Sequence, residues 1–77
     1  MSVDVQPGQR WRDRHRGDRV VVVERVVPER RRKFDPRNRQ WIWADVEVVV
    51  CRNAARRLLR VERESFSARY ALVLGSP

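Results

Sequence analysis

Arginine dominates the side chains able to do chemistry in this 77-residue chain: seventeen of its eighteen basic residues are Arg, and only Lys33 is Lys. Fifteen of the eighteen fall into three groups. Arg10, Arg12, Arg14, Arg16 and Arg19 stand against Asp13 and Asp18. Arg30, Arg31, Arg32, Lys33, Arg37 and Arg39 stand against Glu29 and Asp35. Arg52, Arg56, Arg57 and Arg60 form the third. A guanidinium is a planar fork of donors that matches phosphate or carboxylate oxygens, so the chemistry on offer is anion binding. The second group is the densest and encloses Phe34, whose ring could stack on a base. Trp41 and Trp43 follow immediately. The candidate nucleic-acid-binding set is therefore Arg30, Arg31, Arg32, Lys33, Phe34, Arg37, Arg39, Trp41 and Trp43. The competing reading is a loop kept soluble by its charge, with the arginine excess reflecting a GC-rich coding genome.

Reaction chemistry finds no comparable support. His15 is the only histidine and sits among Arg14, Arg16 and Asp13. A solvated loop histidine is expected there, because no Ser or Cys nucleophile has a recognisable partner. Glu62 and Glu64 each neighbour an arginine, which reads as surface ion pairing and not as a hydrolytic carboxylate pair. Cys51 is alone, so neither a disulfide framework nor a cysteine zinc site is expected. A small, partly buried thiol is the reading for it. No glycine-rich phosphate loop occurs, and the carboxylates do not cluster at metal-binding spacing. The expectation is a nonenzymatic protein with no cofactor and no metal.

The formal net charge of +8 points to an anionic partner, either nucleic acid (DNA or RNA) or an acidic protein surface. One domain of this size buries only about 60% of its unfolded surface, so no interdomain cleft and no small-molecule substrate are expected. Met1 to Gln6 has neither a basic start nor an apolar run, so it does not read as a signal peptide. No apolar run, Val20 to Val23 included, approaches the ~20 residues a membrane helix needs. No membrane association and a cytoplasmic location are expected.

The elements that must position these groups are strands. Gln40 to Cys51 alternates with a period of two, and its β-branched residues suit a pleated surface. Ile42, Ala44, Val46, Val48 and Val50 read as the buried face. Trp41, Trp43, Asp45, Glu47, Val49 and Cys51 read as the outer one. Two outward tryptophans beside a basic loop would make a stacking platform or a protein-contact patch. The alternatives are that the arm folds back over them, or that a bulge near Asp45 flips the face.

Around this central strand, residues 1–6 read as a loose lead-in and Pro7-Gly8 as a turn. Gln9 to Trp11 reads as a first strand with Trp11 inward. Arg19 to Val27 reads as a second strand, with its four valines in contact on both faces or carrying a bulge. Pro28 ends it, and 28–39 is a long basic loop or the tip of an extended hairpin. Arg52 to Arg56 is a tight connection with Asn53 in a left-handed turn position. Arg57 to Glu62 is a fourth strand, Ser65 to Ala68 a helical turn with Phe66 buried, and Tyr70 to Leu74 a closing strand. The expected core is Trp11, Val21, Val23, Ile42, Ala44, Val46, Val48, Leu59, Val61, Phe66, Tyr70 and Leu72. The fold class is all-β: a small five-stranded closed barrel, with one short helical turn before the last strand, filling residues 1–77 as a single domain.

Pro7-Gly8-Gln9-x-Trp11-x-Asp13, Gly17-Asp18-Arg19-Val20-Val21-Val22, Ala44-Asp45-Val46, Arg60-Val61, Ser65-Phe66 and Tyr70-Ala71-Leu72-Val73 resemble small SH3-like barrel proteins. These are proteins of unknown function from actinobacteria and their phages. The resemblance covers nearly the whole chain and implies an SH3-like barrel. Its members join strands two and three by a short turn, whereas 28–39 is here an arginine-rich insertion. The chain also lacks the glycine of a KOW motif, so a ribosome- or polymerase-binding role of that kind does not carry over. The expected function is a basic module binding nucleic acid with weak sequence specificity. The alternative is a phage or accessory protein-interaction module that meets a host protein or capsid through exposed Trp residues, with Trp11, Trp41 and Trp43 as anchor candidates.

Overall fold

Valine-rich alternation produces the strands. The computed structural model describes residues 4–73. It contains β1 (Arg10–Asp13), β2 (Val20–Asp35), β3 (Gln40–Arg52), β4 (Leu58–Glu62), a short helix α1 (Arg63–Arg69) and β5 (Tyr70–Leu72). The strands form one antiparallel sheet in the order β4-β3-β2-β1-β5. The protein is mostly β, with five strands and a helix directly before the last, as expected. The sheet is not closed: β4 and β5 are its two edges. Met1, Ser2 and Val3 of the expected lead-in, and Leu74 of the expected last strand, lie outside the described residues.

The core lies between the inner half of the β2–β3 hairpin, β1, β4 and α1. Val5, Trp11, Val21, Val23, Val49, Cys51, Phe66 and Tyr70 are buried together, and Val26, Leu59, Val61 and Leu72 pack against them. Phe66 anchors α1. It meets Trp11 edge-on at 5.1 Å and stacks on Tyr70 at 4.8 Å, the offset and T-shaped arrangements that ring quadrupoles favour. Val5 belongs to this cluster, so residues 4–6 are not a loose lead-in. Gln6 N–H donates to Gln9 Oε1 at 2.8 Å and fixes the approach to the Pro7-Gly8 turn. Gly8 there has φ +88°, a conformation that side chains with a Cβ rarely adopt.

Three expectations need correction. First, the central strand faces the other way. Val49 and Cys51, expected outside, are in the core, while Ile42, expected inside, is 41% exposed. Ala44 and Val46 are only half-buried. Val48 and Val50 are buried on the opposite face. Their cross-strand neighbours there are Val27, Arg25, Arg60 and Glu62, of which the three charged side chains are long enough to lie over them. Because 48–51 is apolar on both faces, its alternation alone does not say which face is the core.

Second, Pro28 does not end β2. It pairs with Glu47, and β2 continues to Asp35, which pairs with Gln40. β1 and the Gly8–Gln9 segment before it cover β2 only as far as Val23, so beyond it one edge of β2 is open, and an open edge tolerates a residue without an N–H. Residues 28–39 are thus the outer strand and turn of an extended hairpin. The only register step lies between Val23 and Arg25, with none at Asp45.

Third, the connection between β3 and β4 places Arg56, not Asn53, in the left-handed region, at φ 63°. Asn53 acts through its side chain, whose Oδ1 accepts the Arg57 N–H at 2.9 Å.

Candidate nucleic-acid interface

The outer half of the hairpin, residues 28–35 and 40–47, is a two-stranded ribbon carried beyond the core. β1 stops pairing at Val22 and β4 pairs only with Val48 to Arg52, so neither strand of the ribbon has another neighbour. The molecule accordingly extends 47 Å in one direction and 22 Å in the other two. Ion pairing at its root, from Arg60 to Glu29 and from Arg63 to Glu47, ties the ribbon to β4 and α1.

Alternation sorts the candidate residues onto two faces. Directly opposed pairs share a face: Phe34 with Trp41, Arg32 with Trp43, Arg30 with Asp45 and Pro28 with Glu47. This face continues that of Val26 and Val49, and therefore of the core, past the point where anything covers it. Trp41 is 60% exposed, Trp43 64% and Phe34 49%. The arm does not fold back over the tryptophans. They are exposed not because they lie on the outer side of the sheet but because the core ends near Val49.

Trp41 is held in place on this face. The Phe34 ring meets it edge-on at 5.6 Å and 62°, and the Arg32 guanidinium lies 5.6 Å from its centroid, within cation–π range. Arg30 faces Asp45 at 3.6 Å. The opposite face carries Lys33 with Ile42, Arg31 with Ala44 and Glu29 with Val46. Its charges pair among themselves. Arg31 and Arg60 both meet Glu29, and Lys33 Nζ lies 2.7 Å from Glu62 Oε1. The Arg60 guanidinium, helped by Arg31, holds the Glu29 carboxyl below the usual carboxylate range against the opposing effect of burial. Glu62 Oε1 is buried and takes no well-angled hydrogen bond, so the Lys33 ammonium is its compensation. Glu62 and Glu64 are therefore not a working pair: Glu62 is bound to Lys33, and Glu64 is an exposed first-turn residue of α1.

Arg37 and Arg39 sit in the turn at the tip. Asp35 Oδ1 accepts the Arg37 N–H at 3.0 Å, Asp35 Oδ2 accepts from Asn38 Nδ2 at 3.0 Å, and Arg39 has φ 52°. Among the described residues, Arg32, Arg37 and Arg39 have no carboxylate within ion-pair distance. Residues 28–47 carry six cations against Glu29, Asp35, Asp45 and Glu47, a net of +2 within a chain of +8. The densest basic run of the sequence is thus largely neutralised by its own neighbours. The nine candidate residues divide accordingly. Arg30, Arg32, Phe34, Trp41 and Trp43 are gathered on one face, Arg37 and Arg39 cap its tip, and Arg31 and Lys33 point away.

Elsewhere, Asp13 is a buried carboxylate whose role sequence reasoning missed. Its Oδ1 accepts the His15 N–H at 2.8 Å and the Arg16 N–H at 3.2 Å, and its Oδ2 lies 3.5 Å from Arg69 Nε. The His15 amide, with the Arg16 amide and the Arg69 guanidinium, holds this carboxyl below its ordinary range, against burial that pushes it up. Asp followed by a polar loop is the available signal for such a side-chain turn. His15 is exposed and contributes only its backbone. Cys51 is fully buried, and that burial pushes its thiol up. An open cavity of ≈480 Å³ lies at the gap between the sheet edges, where Leu59, Val61 and Tyr70 of the core margin meet Arg19, Arg60 and Arg69. Among the described residues no group of three His, Cys, Asp or Glu side chains converges as a metal site, and no helix is long and apolar enough to cross a membrane.

A comparison of the chain with protein-family models, curated proteins and solved structures finds no match.

Proposed function

We propose that this chain is a nonenzymatic SH3-like barrel of the cytoplasm that uses its β2–β3 ribbon to bind nucleic acid with weak sequence specificity. The strand order β4-β3-β2-β1-β5, and a helix that packs Phe66 into the core just before the last strand, support the barrel. One observation carries the binding reading. Three large aromatic side chains are exposed together on one face of a projecting ribbon, beside Arg32, which has no carboxylate partner among the described residues, and two more arginines at the tip. Exposed apolar surface of this kind marks contact sites, and rings interleaved with guanidinium groups are what bases and phosphates require.

The near balance of charge on the ribbon favours one other reading, a protein contact anchored by Trp41 and Trp43 on an acidic host or capsid surface. Salt separates the two. Binding of the whole protein to fluorescent DNA and RNA probes is followed by anisotropy across a salt series. Nucleic-acid affinity falls log-linearly with salt, whereas an aromatic-anchored protein contact persists. Replacing Arg32, Arg37 and Arg39 with Gln should lower the salt slope by ~0.7–0.9 per lost phosphate contact, equally for all sequences. Replacing Arg10, Arg12 and Arg16 provides the charge-matched comparison. Equal losses from both triple variants would mean that net charge, and not the ribbon, determines binding. No binding to any probe at low salt would overturn the proposal.

A further inference from the structure

Resting on the nucleic-acid reading above, we infer that the ribbon's ligand is a single strand and not a duplex, and that Trp43 is the open stacking platform while Trp41 braces it. The two indoles are not equivalent. Trp41 is already engaged by Phe34 at its edge and by Arg32 over its ring. Among the described residues, Trp43 has no aromatic or cation–π partner, although it is the more exposed of the two. One ring is therefore preset in position and the other is left with its faces free.

Spacing and charge point the same way. Trp41 and Trp43 are two residues apart on one strand, so they stand about 6.6–6.8 Å apart along it. Duplex bases stack about 3.4 Å apart along each strand and present their edges in the grooves, not their faces. Rings at the wider spacing suit bases that have come unstacked and splayed, as single strands allow. The charge is too sparse for a duplex-binding surface. Arg30 is paired with Asp45 and Glu47 with Arg63, which among the described residues leaves Arg32, Arg37 and Arg39 as uncompensated cations. Three phosphate contacts are well short of the roughly 6–10 that dominate duplex binding. Each stacked base contributes about fivefold or more in affinity, whatever its identity, so rings supply what the cations lack. Weak sequence preference follows from the same source.

The test uses the full chain with labelled dT12, rU12 and the dA12·dT12 duplex at one salt concentration, read by anisotropy. At least one single strand should bind tenfold or more tightly than the duplex, with a salt slope no steeper than about −2, as three single-strand contacts imply. Trp43→Ala should weaken single-strand binding by about fivefold or more and change duplex binding less than twofold. It should leave the thermal unfolding midpoint unchanged, since the side chain is exposed. Binding of dT12 alone assigns DNA and binding of rU12 alone assigns RNA; either supports the inference. Duplex affinity equal to or above that of both single strands overturns it while leaving the nucleic-acid reading intact. So does a Trp43→Ala variant that binds single strands like the parent. Failure of all three probes overturns both and returns the ribbon face to a protein contact.

Discussion

Placing a carboxylate at Val49 or at Val46 tests which face of β3 is the core. Val49 is fully buried, and its cross-strand neighbours are Val26 of β2 and Val61 of β4, both packed on the core. Truncation of Val49 to Ala removes two methyl-sized groups, about 1.6 kcal/mol of transfer free energy before any cavity cost. An Asp there adds a buried carboxylate among apolar side chains, which costs several kcal/mol more, or forces the group to stay protonated. Native domains have about 0.05–0.15 kcal/mol of stability per residue, so a chain of this length has roughly 4–12 kcal/mol in all. Val49→Asp should therefore be largely unfolded at neutral pH, and Val49→Ala folded but weakened by about 2 kcal/mol. Val46 is half-buried on the ribbon, opposite Glu29 and beyond the core. Val46→Asp should cost within about 1 kcal/mol, as surface changes do. Urea unfolding followed by far-UV circular dichroism measures all three, and amide NMR dispersion reports whether a native fold survives. An unfolded Val46→Asp beside a well-dispersed Val49→Asp would refute the facing and with it the continuity of the aromatic face with the core.

The remaining predictions concern the body of the protein. Asp13 is held below the carboxylate range by the His15 amide first and by Arg16 and Arg69 after it. Its contribution is complete above the unfolded value of about 3.9 and is lost as pH falls through the lower folded value. Asp13→Asn should lower the melting temperature at pH 7 and shrink its drop between pH 5 and pH 2.5; parallel curves for parent and variant would rule this out. Cys51, fully buried with its thiol pushed up, should react with a thiol reagent only as fast as the protein opens, and at the free-thiol rate in urea. Arg56, at φ 63°, bears the left-handed penalty of roughly 1–2 kcal/mol, against roughly 0.5–1 kcal/mol for the added chain freedom of glycine. Arg56→Gly should thus raise stability by up to about 1 kcal/mol in urea unfolding, whereas Arg57→Gly should not.

Local signals told the truth about local features. A period of two located the strands, the register step of β2 falls just past its four valines, between Val23 and Arg25, and Phe66 is the buried residue of its helix. What stayed hidden depends on partners distant in the chain. Four successive apolar residues, Val48 to Cys51, are buried on both sides, so alternation there is silent about which side Trp11 and Phe66 will occupy. A proline reads as a strand end unless it is known that β1 stops pairing at Val22 and leaves an edge open. The rings of the candidate site were legible from spacing, since Trp41 and Trp43 must share a face whichever face that is. The charges were not. Arg30 is neutralised by Asp45 across the hairpin and Lys33 by Glu62 of β4, so a run of basic residues counted along the chain overstates the field that a ligand meets. Once these pairs are subtracted, few free cations remain on the ribbon among the described residues, and its aromatic side chains are about half exposed or more. Under the proposed nucleic-acid reading, affinity there comes chiefly from the rings, and the partner is one that offers the flat face of a base.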